Sequence, residues 1–265
     1  VTATASDIAQ NSVFEHVARA GYLVSGLLHV IIGYLAIRIA LGSGGGSADQ
    51  SGALAALSAK PGGVLALWIA MIALVIMALW RLAETAFGRS TDPKRQGASA
   101  ETLDRVKAFA LALVYFGFAW STFGFARGAG KSTGEQNSGL SARLMHSTGG
   151  TVLLVVVGIV IAVVGGYHVY KGASRCFLDD LKTSSDLVRR LGQVGYIAKG
   201  LVILGAGGLV VVAASLSQPD KATGLDGALK TLGAQPFGAV LLIAAGLGIV
   251  TYGLYSFAMA RYAKM

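Results

Sequence analysis

Charge is scarce in this chain. Asp, Glu, Lys and Arg make up 13% of its 265 residues, against 54% for the apolar types. A water-soluble domain needs a polar surface, so this shortage excludes an ordinary soluble fold, whereas lipid-facing helices need no charge at all. Cysteine occurs once, at Cys176, and one thiol makes neither an internal disulfide nor a zinc site. Only four histidines are present. They are dispersed, no paired carboxylates fall in an apolar stretch, and no nucleophile has a histidine and an acid nearby. The expectation is a protein that is not an enzyme, with no catalytic residues, no metal and no cofactor.

What fills the chain instead is long apolar runs. Six of them, near 17–41, 63–87, 106–127, 150–171, 193–215 and 237–260, exceed the roughly 18 residues that a bilayer span requires. The chain is predicted to be an all-α polytopic membrane protein with six transmembrane helices. The first run is not expected to be a signal peptide: Glu15 and His16 precede it, and it is too long for an h-region.

The net charge of +9 follows the spans. Fifteen of the 22 Lys and Arg residues lie in the N-terminal segment, 81–107, 171–199 and the C-terminus; seven lie in the alternate segments. Basic residues near span ends favour the cytoplasmic side, so both termini are expected there, in the plasma membrane. Attraction to anionic headgroups is a second reading of the same charge, and membrane lipids are the expected partners. No aromatic-interleaved basic patch points to nucleic acid.

A two-helix pattern recurs about every 87 residues, at about 14–88, 102–178 and 189–262, within one membrane domain spanning 1–265. Arg19-Ala20-Gly21-Tyr22-Leu23-Val24-Ser25-Gly26-Leu27 returns as Gln193-Val194-Gly195-Tyr196-Ile197-Ala198-Lys199-Gly200-Leu201, with a weaker copy at 106–113. Lys60-Pro61-Gly62-Gly63, Ser147-Thr148-Gly149-Gly150 and Gln235-Pro236-Phe237-Gly238 each open an apolar run. Before them come short segments, 54–57, 140–145 and 225–232, with apolar residues three or four apart. These are expected to be interfacial helices on the outer side, each ended by the turn that follows. Each unit reads as helix, outer loop, short helix, helix, which makes three parallel repeats. The Gly128-Ala129-Gly130-Lys131-Ser132 stretch in the second outer loop lacks phosphate-loop spacing and a preceding strand, so it is not a nucleotide site.

Glycine inside a helix costs about 1 kcal/mol in water, but in lipid small residues let helix backbones approach. Gly21, Gly26 and Gly33 recur as Gly195, Gly200 and Gly207, which predicts matching packing grooves on two helices. Ala162 with Gly166 and Ala244 with Gly248 supply small-xxx-small pairs.

Ionisable residues within spans are functional candidates by default. His29 falls near mid-bilayer and reads either as a proton-accepting or cofactor-binding group or as a neutral histidine bonded to a neighbouring helix. Glu84 is the one acidic residue inside a predicted span; it lines a polar site or pairs with Arg81 three residues away. Arg81, His168 and Lys171 complete the candidate polar set. The aromatic residues Trp80, Tyr167, Tyr170, Tyr252 and Tyr255 are expected to anchor helix ends at the headgroups, and Arg38 and Lys199 to snorkel there.

The Gly-Tyr-x-x-x-Gly starts, Gly227-Ala228-Leu229 through Leu232, Gln235-Pro236-Phe237-Gly238 and Leu79-Trp80-Arg81-Leu82-Ala83-Glu84 together resemble one family. It is the three-repeat, six-helix membrane family catalogued as domain of unknown function 1206, found mainly in actinobacteria, and the resemblance covers about 14–262. It implies a plasma-membrane location and brings no catalytic residues. The leading expectation is a non-enzymatic accessory or scaffold subunit, lipid-binding and part of a larger membrane-protein complex. The alternatives are a small transporter or channel with a path between the three helical hairpins, and a haem- or quinone-binding protein.

Overall fold

The structure, a computed structural model, describes residues 12–43, 46–87, 98–183 and 185–264. Helices dominate: α1 (Ser12–Ala40), α2 (Gln50–Ser58), α3 (Gly63–Phe87), α4 (Ala98–Ala126), α5 (Thr133–Met145), α6 (Thr148–Ser174), α7 (Asp186–Ser215), α8 (Leu225–Gly233) and α9 (Gly238–Tyr262). Long, short, long recurs three times. Among the described residues there is no strand, only an isolated antiparallel bridge between Leu181 and Ala263.

Among the described residues, six helices are long and apolar enough to cross a bilayer: 19–40, 63–86, 104–126, 148–174, 186–215 and 238–262. Their outward faces are apolar. Leu65, Ile69, Ile72, Ile76 and Leu79 stand exposed along α3, and Val152, Val156, Val160 and Val163 along α6. Contiguous exposure on that scale is incompatible with water and fits lipid. The chain is a multi-pass membrane protein.

Two compact units form. One contains residues 54–131, in which α3 packs on α4. Alanine supplies the close approach there, with Ala78, Ala112 and Ala119 almost fully buried, while Leu54, Leu67 and Ala126 form a small core.

The other unit contains residues 18–53 and 132–264, and its helices are joined by glycine. A Cβ at Gly26 would lie 2.6 Å from the Phe257 ring, and one at Gly253 would lie 2.8 Å from the Gly26 carbonyl oxygen. Two turns along, a Cβ at Gly246 would lie 2.8 Å from the Gly33 oxygen. α1 and α9 are therefore antiparallel and almost in backbone contact. The α6–α7 pair repeats the arrangement: Cβ atoms at Gly165 and Gly200 would each lie 2.8 Å from the other's carbonyl oxygen, and one at Gly207 would lie 2.7 Å from that of Gly158. A third contact, of Gly195 with Tyr252 and of Gly248 with Ala198, sets α7 antiparallel to α9.

These pairings revise two expectations. Two of the three glycine contacts, α6 on α7 and α1 on α9, join the second helix of one repeat to the first helix of another, and the third, α7 on α9, joins the two helices of one repeat. Their period is seven residues, two helical turns, so Ala162 packs on Gly207 while Gly166 has only the tip of Leu204 nearby, at 3.9 Å. Gly26, Gly33, Gly195, Gly200 and Gly207 all meet a neighbouring helix. Gly21 does not: nothing lies within 4 Å of its Cβ position.

The short helices are packed elements. α8 sets Leu225 and Leu229 into a core with Ile32, Val202, Leu242 and Ile249. α5 begins at Thr133, well before the expected 140–145, because Ser132 caps it: its hydroxyl oxygen accepts from the Glu135 N–H at 3.1 Å. Each short helix turns sharply into the next long one at a glycine. A Cβ at Gly63, Gly150 or Gly238 would collide with the carbonyl oxygen of Leu57, Leu144 or Gly233 respectively. That glycine is the residue common to the three turn motifs.

Candidate binding site

The antiparallel packing brings the start of α1, the end of α6, the start of α7 and the end of α9 to one end of the larger unit. This basic end is sewn together by backbone. Lys182 N–H donates to Tyr262 O at 2.7 Å and Lys264 N–H to Asp180 O at 2.8 Å. Arg19 donates to the carbonyls of Ala260 and Arg261, at 2.7 and 3.1 Å, capping the end of α9. Lys171 pairs with Asp180 at 2.8 Å, and Arg189 with Asp186 at 2.7 Å. Arg175, Lys182, Arg190, Arg261 and Lys264 stay exposed with no carboxylate partner among the described residues.

From this end a file of rings runs inward. His168 faces Tyr196 at 5.9 Å between centroids, Tyr196 faces Tyr252 at 5.3 Å, and Tyr252 faces His29 at 4.7 Å. Phe177 and Tyr255, both fully buried, pack against Tyr196 at 5.4 and 5.5 Å. Tyr252 and Tyr255 thus do not anchor at headgroups as their positions suggested; Tyr167 and Tyr170, which are exposed, are free to do so. Lys171 lies 5.4 Å over the Tyr196 ring.

Lys199 is the residue that sequence reasoning misjudged. It does not snorkel out. Its amine sits 4.0 Å over the Tyr252 ring, close enough to His29 and His168 to act on both electrostatically. α7 starts thirteen residues earlier, at Asp186, so Lys199 lies roughly 20 Å along it at 1.5 Å per residue. A cation over a desolvated ring gains about 2 kcal/mol, less than burying an unpaired charge costs.

The two histidines are held alike. A backbone carbonyl can only accept, so His29 Nδ1–H donates to Ser25 O at 2.7 Å and His168 Nδ1–H to Val164 O at 2.8 Å. Each ring therefore presents Nε2 away from its own helix. The rings stand at opposite ends of the file with two tyrosines between them, so they do not form a facing pair of the kind that holds haem. The side chain of His16 lies outside the described residues. Among the described residues no group of three metal-binding side chains occurs.

Arg81 and Glu84 belong to the smaller unit. Arg81 pairs with Glu84 at 2.6 Å, and Trp80 Nε1–H donates to the same carboxylate at 3.1 Å. All three lie on one stretch of α3, so the carboxylate is satisfied by its own helix. The structure thus brings His29, His168 and Lys171 into one neighbourhood through the tyrosines, while Glu84 and Arg81 form a separate local pair.

The family described as Domain of Unknown Function (DUF1206) matches at 20–88, 106–175 and 194–263, once for each long–short–long set of helices. The chain belongs to this family. A relative from Bacillus subtilis (strain 168), bearing the name "Uncharacterized protein YxxB", is 30% identical over 255 residues, covering 93% of this chain and 90% of that protein. No solved structure matches the chain. Family membership thus establishes the threefold repeat and carries no activity with it.

Proposed function

We propose that this member of the family is a non-enzymatic protein of the plasma membrane, with both termini cytoplasmic, that binds anionic lipid headgroups at its basic end and serves as an accessory subunit of a larger membrane complex. The observation that carries this reading is the set of exposed cations, Arg175, Lys182, Arg190, Arg261 and Lys264, gathered at one end of four helices without carboxylate partners among the described residues. Each surface cation contributes about 1 kcal/mol of attraction to an anionic leaflet. Exposed Tyr167 and Tyr170 at the end of α6 supply the amphipathic rings that favour the headgroup level.

Native mass spectrometry after extraction in mild detergent tests it. Anionic phospholipid should stay bound, and replacing Arg175, Lys182 and Arg190 together by Gln should reduce its retention several-fold. Retention of zwitterionic lipid to the same extent, or of no lipid and no protein partner, would sink the reading. Transport is the second reading, favoured by the depth of Lys199 and His29. Against a continuous path, Ile32, Val202, Leu242 and Ile249 make an apolar core beside α8.

A further inference from the structure

The packing registers set Lys199 and His29 at one level. Gly26 opposes Gly253 and Gly33 opposes Gly246, so His29 falls beside residue 250 of α9. Gly195 opposes Tyr252 and Ala198 opposes Gly248, so Lys199 falls beside residues 247–248. Both levels are close to halfway along the 25-residue helix α9. A lysine and a histidine thus share the middle of the membrane-spanning region, on two helices that flank a third, with the Tyr252 ring against both.

Three features of this place are left over from folding. Among the described residues no carboxylate pairs with Lys199, and no hydrogen bond engages its amine. The nearest acid along the file, Asp180, is already paired with Lys171 at the basic end. His29 spends Nδ1–H on Ser25 and keeps Nε2 without a partner among the described residues. An ammonium has three donors and a full charge, and an aromatic face answers only part of that demand. A charge held at this depth marks a functional position unless something neutralises it.

We propose that Lys199, stacked on the Tyr252 ring that His29 also packs against, is an intramembrane binding site for a singly charged oxyanion, either a carboxylate or a phosphodiester. Charge balance selects the class. One ammonium neutralises one negative charge, whereas a dianion would leave a second charge buried and unpaired. This site is separate from the exposed cations that carry the headgroup reading, and it stands whether or not those bind lipid.

The test uses the purified full chain in detergent, stripped of lipid, with thermal stability followed as each probe is titrated. Three probes separate the sources: oleate for an amphipathic carboxylate, acetate for a soluble one, and dioleoyl phosphatidylglycerol for a phosphodiester. Inorganic phosphate in mildly alkaline buffer serves as the dianion. Saturable stabilisation by at least one of the three is expected, at least tenfold weaker in Lys199→Met and absent with phosphate. Because Met keeps the length of the side chain and removes the unpaired charge, the variant should fold without ligand. If it does not, ¹⁵N-lysine-labelled wild-type protein gives the answer, since the Lys199 amine signal should move as the probe binds. No saturable probe, an affinity in Lys199→Met within twofold of wild type, an unmoved amine signal, or phosphate binding as well as the monoanions would each overturn the proposal. Retained binding in Lys199→Met together with lost binding in the triple Gln variant would locate the anion at the basic end instead.

Discussion

Gly21 and Gly26 lie on one helix, yet only the second faces a neighbour, so the two residues respond differently to the same substitution. Gly26→Leu drives a side chain into Phe257 and the Gly253 carbonyl. Overpacking of this kind costs about 1–3 kcal/mol, and more when the obstacle is backbone. Gly21→Leu meets open space and should leave the midpoint of thermal unfolding in detergent close to wild type, while Gly26→Leu lowers it clearly; equal midpoints would refute the α1–α9 contact. The repeat made Gly26 and Gly33 legible, because a glycine that returns in register has a packing reason. It misled at Gly21, whose counterpart Gly195 packs on Tyr252. Internal symmetry of sequence does not guarantee the same neighbour in each copy. Lys199 was hidden for another reason: what its amine meets is the Tyr252 ring of α9, a contact across two helices that the position of Lys199 in its own apolar run does not reveal.

At the scale of the element, the short helices are held by specific polar contacts that periodicity does not reveal. Asp226, almost fully buried at the start of α8, accepts from the Ala48 N–H at 2.8 Å and pairs with Lys230 at 2.7 Å. Asp49 does similar work for α2, accepting from Gly52 N–H and from the Ser51 hydroxyl, whose own oxygen accepts from Thr133 N–H at the start of α5. Asp226→Ala strands a buried amide and should cost about 1–3 kcal/mol. Lys230→Gln removes only a half-exposed partner and should cost under about 1 kcal/mol. Urea or thermal titration in detergent checks the order; a larger loss in Lys230→Gln would show that the ion pair, not the amide contact, holds α8. The sequence carried the apolar spacing of α8 plainly. It could not carry Asp226, since its partner lies 178 residues away and is a backbone group with no identity to read.

At the scale of the molecule, the six spans, the helical class and the threefold repeat were all legible, because lipid imposes length and apolarity on any helix that crosses it. The pairing of the helices was not, since two helices of one repeat are as close in sequence as two of adjacent repeats. Orientation has a direct probe. Cys176 is the single cysteine and is exposed at the basic end. On the proposed orientation, with both termini cytoplasmic, a membrane-impermeant maleimide should leave intact cells unlabelled and react once they are permeabilised; labelling of intact cells would invert the topology. The contact between α1 and α9 also bears on how the chain is made. Gly253 follows Gly26 by 227 residues, so at about 5–20 residues per second the first span waits on the order of tens of seconds for its partner. During that interval its glycine groove lies open to lipid or to an insertion chaperone. Closing the α1–α9 contact is thus a late step in assembly, made only after the last span has been synthesised.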